Sequence, residues 1–378
     1  MIRILFVDDE ARILDGIRRS MHGIRSEWQM RFANSGADAL KALAEEPADV
    51  VVSDMRMPAM DGSELLSEVK RLYPGAIRLV LSGHAEAESI IRVTRNAHRY
   101  LSKPCDAPSL KAAITRAMSL RALLSSNHLA AIVGGVDALP TPPKRYQELL
   151  DCLRNPEAAI ADVVGILRHD VAMTVKILKL ANSGFFGIRE PVQTVERAVA
   201  FVGMEAISTL VLGQELFDSS VAVTLPNFDL EALGQHSFET AAWARAVALY
   251  EGLSAAAAER AFLAGVLHDL GRLVFATRTP PSSPLQRDQW LRETLQEMEL
   301  HHGAVGGYLL GLWGFPESII EALVWHHTPS ICGETSLGLC GLVHIGDQLA
   351  HAREIEPGYL ESIGLAERLA DWCGLRHE

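Results

Sequence analysis

The chain has 378 residues, 48% hydrophobic and 22% charged, with a formal net charge of −12. That length exceeds one typical hydrophobic core, so two or three domains are expected, with the composition of an ordinary soluble globular protein. No apolar run reaches bilayer length, and the five cysteines (Cys105, Cys152, Cys332, Cys340, Cys373) include no CxxC pair, which argues against a disulfide framework or a zinc finger.

The charge is uneven. Residues 1–120 carry 17 basic and 16 acidic side chains, and the remainder carry 18 and 31. Phosphate-backbone binding needs clustered Lys and Arg, so the acidic second part disfavours a DNA-binding output. The opening MIRILFVDDE turns acidic where a signal peptide needs a small-residue cleavage site. With no membrane segment and a reduced cysteine set, the expected location is cytoplasmic.

Along residues 1–120, apolar runs alternate with amphipathic stretches. RILFVDD, MRFAN, ADVVVSDM, AIRLVLSG and HRYLSKP read as five strands separated by helical periods, a rhythm that implies βαβ units and a doubly wound parallel sheet. The last helix, roughly Ala107 to Leu124, runs into SSNHLAAIVGG and then the proline-rich LPTPPK. The expected division is a first domain over 1–122, a linker over 123–136, and a second domain over 137–378.

In such a sheet the strand ends share one edge. Asp8 and Asp9 end the first strand, Asp54 the third, Ser82 the fourth and Lys103 the fifth. Open α/β folds place their reactive groups at that edge. Three carboxylates close together repel one another and create a site for a hard divalent cation such as Mg²⁺. The metal would neutralise an incoming phosphoryl group attacked in line by the Asp54 carboxylate. Lys103 would offer a point charge to a phosphoryl oxygen, and Ser82 a hydroxyl to the new phosphate.

Through VDDE, VVSDMRMPAMDG, LVLSGHA and YLSKP, residues 1 to about 120 resemble the receiver domain of two-component response regulators. The resemblance implies Asp54 as phosphoacceptor, with a sensor histidine kinase as donor. It implies Asp8 and Asp9 as the metal-holding pair, with the Arg56 backbone carbonyl as a further Mg²⁺ ligand. Ser82, Tyr100 and Lys103 are implied as switch residues, Tyr100 as an aromatic that changes rotamer. A receiver-mediated homodimer is a further expectation of the same kind.

Beyond the linker the strand signals fade. KRYQELLDCLR, IADVVGILRHD, AMTVKILKLAN, VERAVAFVG and ISTLVLGQELF carry helical periods, and longer helices follow from His236 onward. The second part reads as all-α. Its chemistry-bearing residues are His236, His268, Asp269, His302, His326, His327 and Asp347. Imidazole and carboxylate together suit Fe, Mn, Zn or Co in a mixed N/O site, mono- or binuclear. His301, His344 and His351 are read instead as hydrogen-bonded core groups.

The order H…HD…H…HH…D resembles the HD superfamily of metal-dependent phosphohydrolases. From about Leu139 the likeness is more specific. NPEAAIADVVGILRHDVAMTVKILKLANSGFFGI followed by QTVERAVAFVGMEAI resembles the HDOD domain, a relative of the HD-GYP phosphodiesterases. Two features depart from HD-GYP enzymes: Arg272 stands where they carry a lysine after HDxG, and the paired histidines run into TPSICGETS rather than a DGxGYP stretch.

The expectation is therefore a phosphorelay response regulator whose HDOD output signals by binding a protein or a nucleotide. The rival is a receiver-gated metal-dependent phosphodiesterase acting on a cyclic dinucleotide or other phosphoester, with Arg272 as a phosphate contact.

Overall fold

A computed structural model describes the chain from Met1 to Leu375 apart from residues 25–26, 83–95, 104, 123, 125, 137–138, 156, 183–190, 213–221 and 357. The NSGFF turn falls largely outside the described residues, as do the side chains of Ser82 and Tyr100. The chain divides into two compact units, the first formed chiefly by Met1–Asp137 and the second by residues from Ala138 onward.

In the first unit the strands are β1 (Ile2–Val7), β2 (Trp28–Ala33), β3 (Val50–Asp54), β4 (Ile77–Ser82) and β5 (Arg99–Ser102). They form one sheet in the order β2-β1-β3-β4-β5, with every pairing parallel. Residues 4–7 of β1 and all of β3 are buried, as expected of strands covered on both faces. The described helices are α1 (Ala11–Ser20), α2 (Gly36–Glu45), α3 (Gly62–Leu72), α4 (Ala107–Arg121) and α5 (Asn127–Gly134). Asp61 caps α3 through a reciprocal capping box with Glu64, and Asp106 caps α4. Such caps satisfy amides that the helix itself leaves unpaired.

α5 lies where the sequence suggested a linker. Ser126 caps it, accepting from the Leu129 amide, and Leu129, Ala130 and Val133 are buried. The buried Arg78 at the start of β4 donates to the Gly134 carbonyl at 2.7 Å, and Lys70 Nζ to the Val136 carbonyl at 2.9 Å. Burial of an apolar face and capture of its C-terminal carbonyls turn this stretch into part of the first unit.

Every regular element described in the second unit is a helix. Its helices are α6 (Pro143–Arg154), α7 (Ile160–Arg168), α8 (Val171–Ala181), α9 (Val195–Val202), α10 (Met204–Leu212), α11 (Leu230–Tyr250), α12 (Ala255–Leu267), α13 (Leu270–Ala276), α14 (Pro284–Leu312), α15 (Glu317–Trp325) and α16 (Leu339–His351), followed by short turns at Tyr359–Ser362 and Leu369–Cys373. α11, α12 and α16 pack closely, with Ala241, Ala244, Ala248, Ala258 and Ala261 buried among them. Small side chains let these helix axes approach, so polar residues on their facing sides can meet.

Candidate functional sites

β1 and β3 are neighbours with Val7 opposite Ser53, so the next residues, Asp8 and Asp54, leave the sheet side by side. This is also where the strand order reverses, which opens a crevice at the carboxyl edge. Asp8 and Asp54 are buried, 2% and 8% exposed, while Asp9 is exposed. Lys103, just past β5, reaches across with Nζ 2.8 Å from Asp8 Oδ2 and 2.5 Å from Asp54 Oδ1. Burial works against the ammonium charge, but hydrogen bonds from Asp54 and Asp8 outweigh it and hold the lysine pKa above its ordinary value.

The turn after β3 orients the Asp54 side chain. The Arg56 amide donates to Asp54 Oδ2 at 2.8 Å, and Ala59 takes a left-handed φ of 67°. At Gly62 an added Cβ would sit 2.1 Å from the Asp54 carbonyl oxygen, so only glycine lets α3 start this close to Asp54. Two buried carboxylates, an exposed third and a single ammonium leave a net negative oxygen cluster, a donor set that fits a hard divalent cation. Ser82 ends β4 opposite Ser102 in the adjacent strand, and the Tyr100 backbone pairs with Val80. The positions of those two side chains lie outside the described atoms.

In the helical unit the seven histidines and aspartates singled out in the sequence come together. His236 lies on α11, His268 and Asp269 at the α12–α13 junction, and His302 on α14. His326 and His327 end α15, and Asp347 lies on α16. His236 Nε2 is 3.2 Å from His268 Nε2 and 3.2 Å from Asp347 Oδ1. His302 Nε2 is 3.3 Å from Asp269 Oδ1, 3.4 Å from His326 Nε2 and 3.1 Å from His327 Nε2.

The imidazoles are wired for lone-pair donation. Nδ1 of His268, His302 and His326 lies 2.7, 2.8 and 2.7 Å from the carbonyl oxygens of Gly265, Met298 and Leu323. A carbonyl only accepts, so each Nδ1 carries the proton and each Nε2 is left as an acceptor. The Nε2 atoms of His302 and His326 face each other at 3.4 Å, which is repulsive with both as acceptors unless a cation lies between them. The same backbone anchoring fixes metal-ligating histidines generally. His268 and His326 sit at helix C-terminal caps, where the macrodipole would favour imidazolium. Burial prevails and pushes both pKa values down, His326 well below the usual range. His327, at the open side, is lowered to about 4 by burial and by His302.

Asp269 stands at the N-cap of α13 without making a side-chain cap bond, because its carboxylate faces the cluster instead. Burial opposes its ionisation, but His268 and the Arg272 guanidinium more than offset that and hold the carboxyl below the usual range. Arg272 Nε lies 2.9 Å from Asp269 Oδ1. Asp347 is likewise depressed: burial is outweighed first by the bond to His236. Close approach completes the arrangement, since a Cβ on Gly271 would fall 2.0 Å from the His302 carbonyl oxygen. Neutral imidazoles and ionised carboxylates at these distances fit a transition metal bound through N and O.

Of the histidines read as core groups, His344 is one: its Nδ1 lies 2.6 Å from the His326 carbonyl oxygen and its Nε2 accepts from the Glu356 amide at 2.9 Å. His301 is half-buried, outside the cluster of possible ligands. His351 is different. Its Nδ1 lies 3.0 Å from Asp347 Oδ1, and it groups with His236 and Asp347. The available signal was its spacing, four residues after Asp347 on one helix face.

The HDOD domain pattern matches residues 139–329 and that of the response regulator receiver domain residues 4–115. The chain belongs to the HDOD family. It is a response regulator with a receiver domain followed by an HD-type HDOD output domain. An uncharacterized protein of Treponema pallidum is 26% identical over 208 residues, 52% of this chain and 39% of that protein. The hydrogenase transcriptional regulatory protein HoxA of Cupriavidus necator is 32% identical over 127 residues, 33% of this chain and 26% of that protein. The HDOD chain thus spans well under half the length of these curated relatives. The crystal structure of the MmoQ response regulator of Methylococcus capsulatus is 25% identical, covers 63% of this chain and 99% of that one, and superposes with a TM-score of 0.49.

Proposed function

We propose that this HDOD response regulator is a phosphorelay protein whose Asp54 accepts a phosphoryl group from a sensor histidine kinase. The observation that carries the reading is the Asp54 carboxylate itself, with Oδ2 held by the Arg56 amide and Oδ1 by Lys103. An oxygen of that carboxylate attacks phosphorus, the bond to the donor imidazole breaks, and an acyl phosphate forms. Mg²⁺ held by Asp8, Asp9, Asp54 and the Arg56 carbonyl would neutralise the transferred charge. Lys103 contributes a second cation at the same carboxylates, and Ser82 and Tyr100 report the added charge to the surface.

Incubation of the full chain with Mg²⁺ and a small phosphodonor such as acetyl phosphate tests this directly. Wild type is expected to take up an acid-stable, base-labile phosphate visible on a phosphate-affinity gel. Uptake by Asp54→Asn at the wild-type level would remove the assignment.

The output domain passes the signal on by binding a protein or a nucleotide, and it holds a mono- or binuclear Fe, Mn or Zn centre through His236, His268, Asp269, His302, His326, His327 and Asp347. Convergent Nε2 lone pairs beside two carboxylates support metal binding. A second reading, phosphoester hydrolysis, is favoured by Arg272, whose guanidinium stands against Asp269 at the centre's edge and would contact a substrate phosphate. Bound metal would supply hydroxide at neutral pH. Metal analysis of the purified chain, with cyclic dinucleotide turnover measured in wild type and Asp269→Ala, separates these readings. Turnover that survives Asp269→Ala would discard the hydrolytic one.

A further inference from the structure

The cluster's donor atoms fall into three groups, the last two sharing His236: His302, His326 and His327; His236, His268 and Asp269; and His236, Asp347 and His351. The third includes a residue outside the ordered pattern. We propose that His351 is a metal ligand, so that His236, Asp347 and His351 form a cation site beside the one offered by His302, His326 and His327. The proposal rests on the reading of this domain as a metal centre.

The geometry has three parts. Asp347 and His351 are four apart on α16, which puts both on one face. His236 Nε2, at 3.2 Å, and His351 Nδ1, at 3.0 Å, approach the same oxygen, Asp347 Oδ1, and the two imidazole centroids are 4.0 Å apart. His351 Nδ1 also lies 3.2 Å from the backbone carbonyl oxygen one turn earlier, at Asp347, which fixes the ring's orientation. Nδ1 is therefore the ring nitrogen that faces Asp347, and it would bind the cation in place of its proton. The other Asp347 oxygen, Oδ2, accepts from Gln348 Nε2 at 3.0 Å, so the carboxylate is oriented from behind.

The first and third groups each combine buried ligand atoms with one exposed histidine: His327 is 46% exposed at its side chain and His351 34%, while Asp347 is 1% exposed.

The test is metal stoichiometry, with no turnover needed. Full-length wild type, His351→Ala, His351→Gln and Asp269→Ala are each loaded with Mn²⁺ or Zn²⁺, dialysed and analysed for bound metal, with circular dichroism as the fold check. Wild type is expected to hold about two equivalents and both His351 variants about one, because the remaining ligands still serve one cation. Glutamine can hydrogen-bond Asp347 but offers no imidazole, so it separates ligation from mere orientation. If His351→Gln keeps wild-type metal content and affinity, this proposal is overturned while the metal centre stands. Metal lost only in Asp269→Ala overturns it in the same way, and a wild type that holds none overturns both.

Discussion

Lys103 and Asp54 form an ion pair of 2.5 Å at the carboxyl edge of the parallel sheet, and the same ammonium reaches Asp8 at 2.8 Å. One cation thus neutralises two buried carboxylates on adjacent strands. Lys103→Ala leaves those carboxylates facing each other without a counter-charge, at a cost of about 1–3 kcal/mol for an unpaired buried polar group. A divalent cation can take over the role. Millimolar Mg²⁺ is therefore expected to raise the variant's unfolding midpoint more than that of wild type. Equal Mg²⁺ shifts in a thermal scan would show that the two carboxylates are not a shared cation site.

Gly62 controls how near α3 comes to Asp54. Its amide donates to the Met55 carbonyl at 2.9 Å, and a Cβ would lie 2.1 Å from the Asp54 carbonyl oxygen. Backbone cannot yield as a flexible side chain does. Gly62→Ala is expected to displace the turn, lower stability by roughly 1–3 kcal/mol and slow phosphate uptake from acetyl phosphate. Uptake at the wild-type rate would show that the turn accommodates the methyl without moving Asp54.

The receiver site was legible because a parallel register turns linear order into shared position: residues ending successive strands must meet at one edge. The helical cluster was legible only as an order of ligand-type residues. No periodicity says that seven residues from five separate stretches of chain converge, and His351, a lone histidine at the end of an apolar helix, reads as core until its i,i+4 relation to Asp347 is placed beside His236. α5 was hidden for a different reason. SSNHLAAIVGG has the small and polar content of a connector, and it becomes helical because Ser126 caps it and the first unit buries its apolar face.

Arg78 is the least legible of the structural residues, an arginine inside an apolar strand and only 2% exposed. Its guanidinium donates to the carbonyls of Asn96 at 2.7 Å, Ala76 at 3.1 Å and Gly134 at 2.7 Å, and meets His98 Nε2 at 2.9 Å. Replacing it leaves those acceptors buried without a donor. Arg78→Met, which keeps much of the volume, is expected to lower stability by about 2–4 kcal/mol and to loosen α5. Amide hydrogen exchange across 127–134 reads the second effect. Unchanged protection there would mean that apolar burial alone holds α5.

Asp170 makes a prediction about pH. It caps the start of α8, its Oδ1 accepting from the Met173 amide at 2.6 Å, and it is 4% exposed. Burial pushes its pKa up to about 6, against the opposing Met173 hydrogen bond and the charges of Lys176 and Arg145. The folded state therefore keeps a proton that the unfolded chain has already released. Stability from this group is full below the unfolded value of 3.8, falls as pH rises towards about 6, and stays at the lower level above it. A tenfold difference in proton affinity between the folded and unfolded chain corresponds to about 1.4 kcal/mol, so the loss across that window is on the order of a few kcal/mol. Asp170→Asn keeps an oxygen for the Met173 amide and removes the charge. It is expected to be more stable than wild type at pH 7 and to show a shallower pH slope between 4 and 6. Asp170→Ala loses the cap as well, at about 1 kcal/mol. Urea unfolding at pH 4.5 and pH 7 distinguishes the three chains, and an asparagine variant no more stable than wild type at pH 7 would show that Asp170 is ionised without penalty.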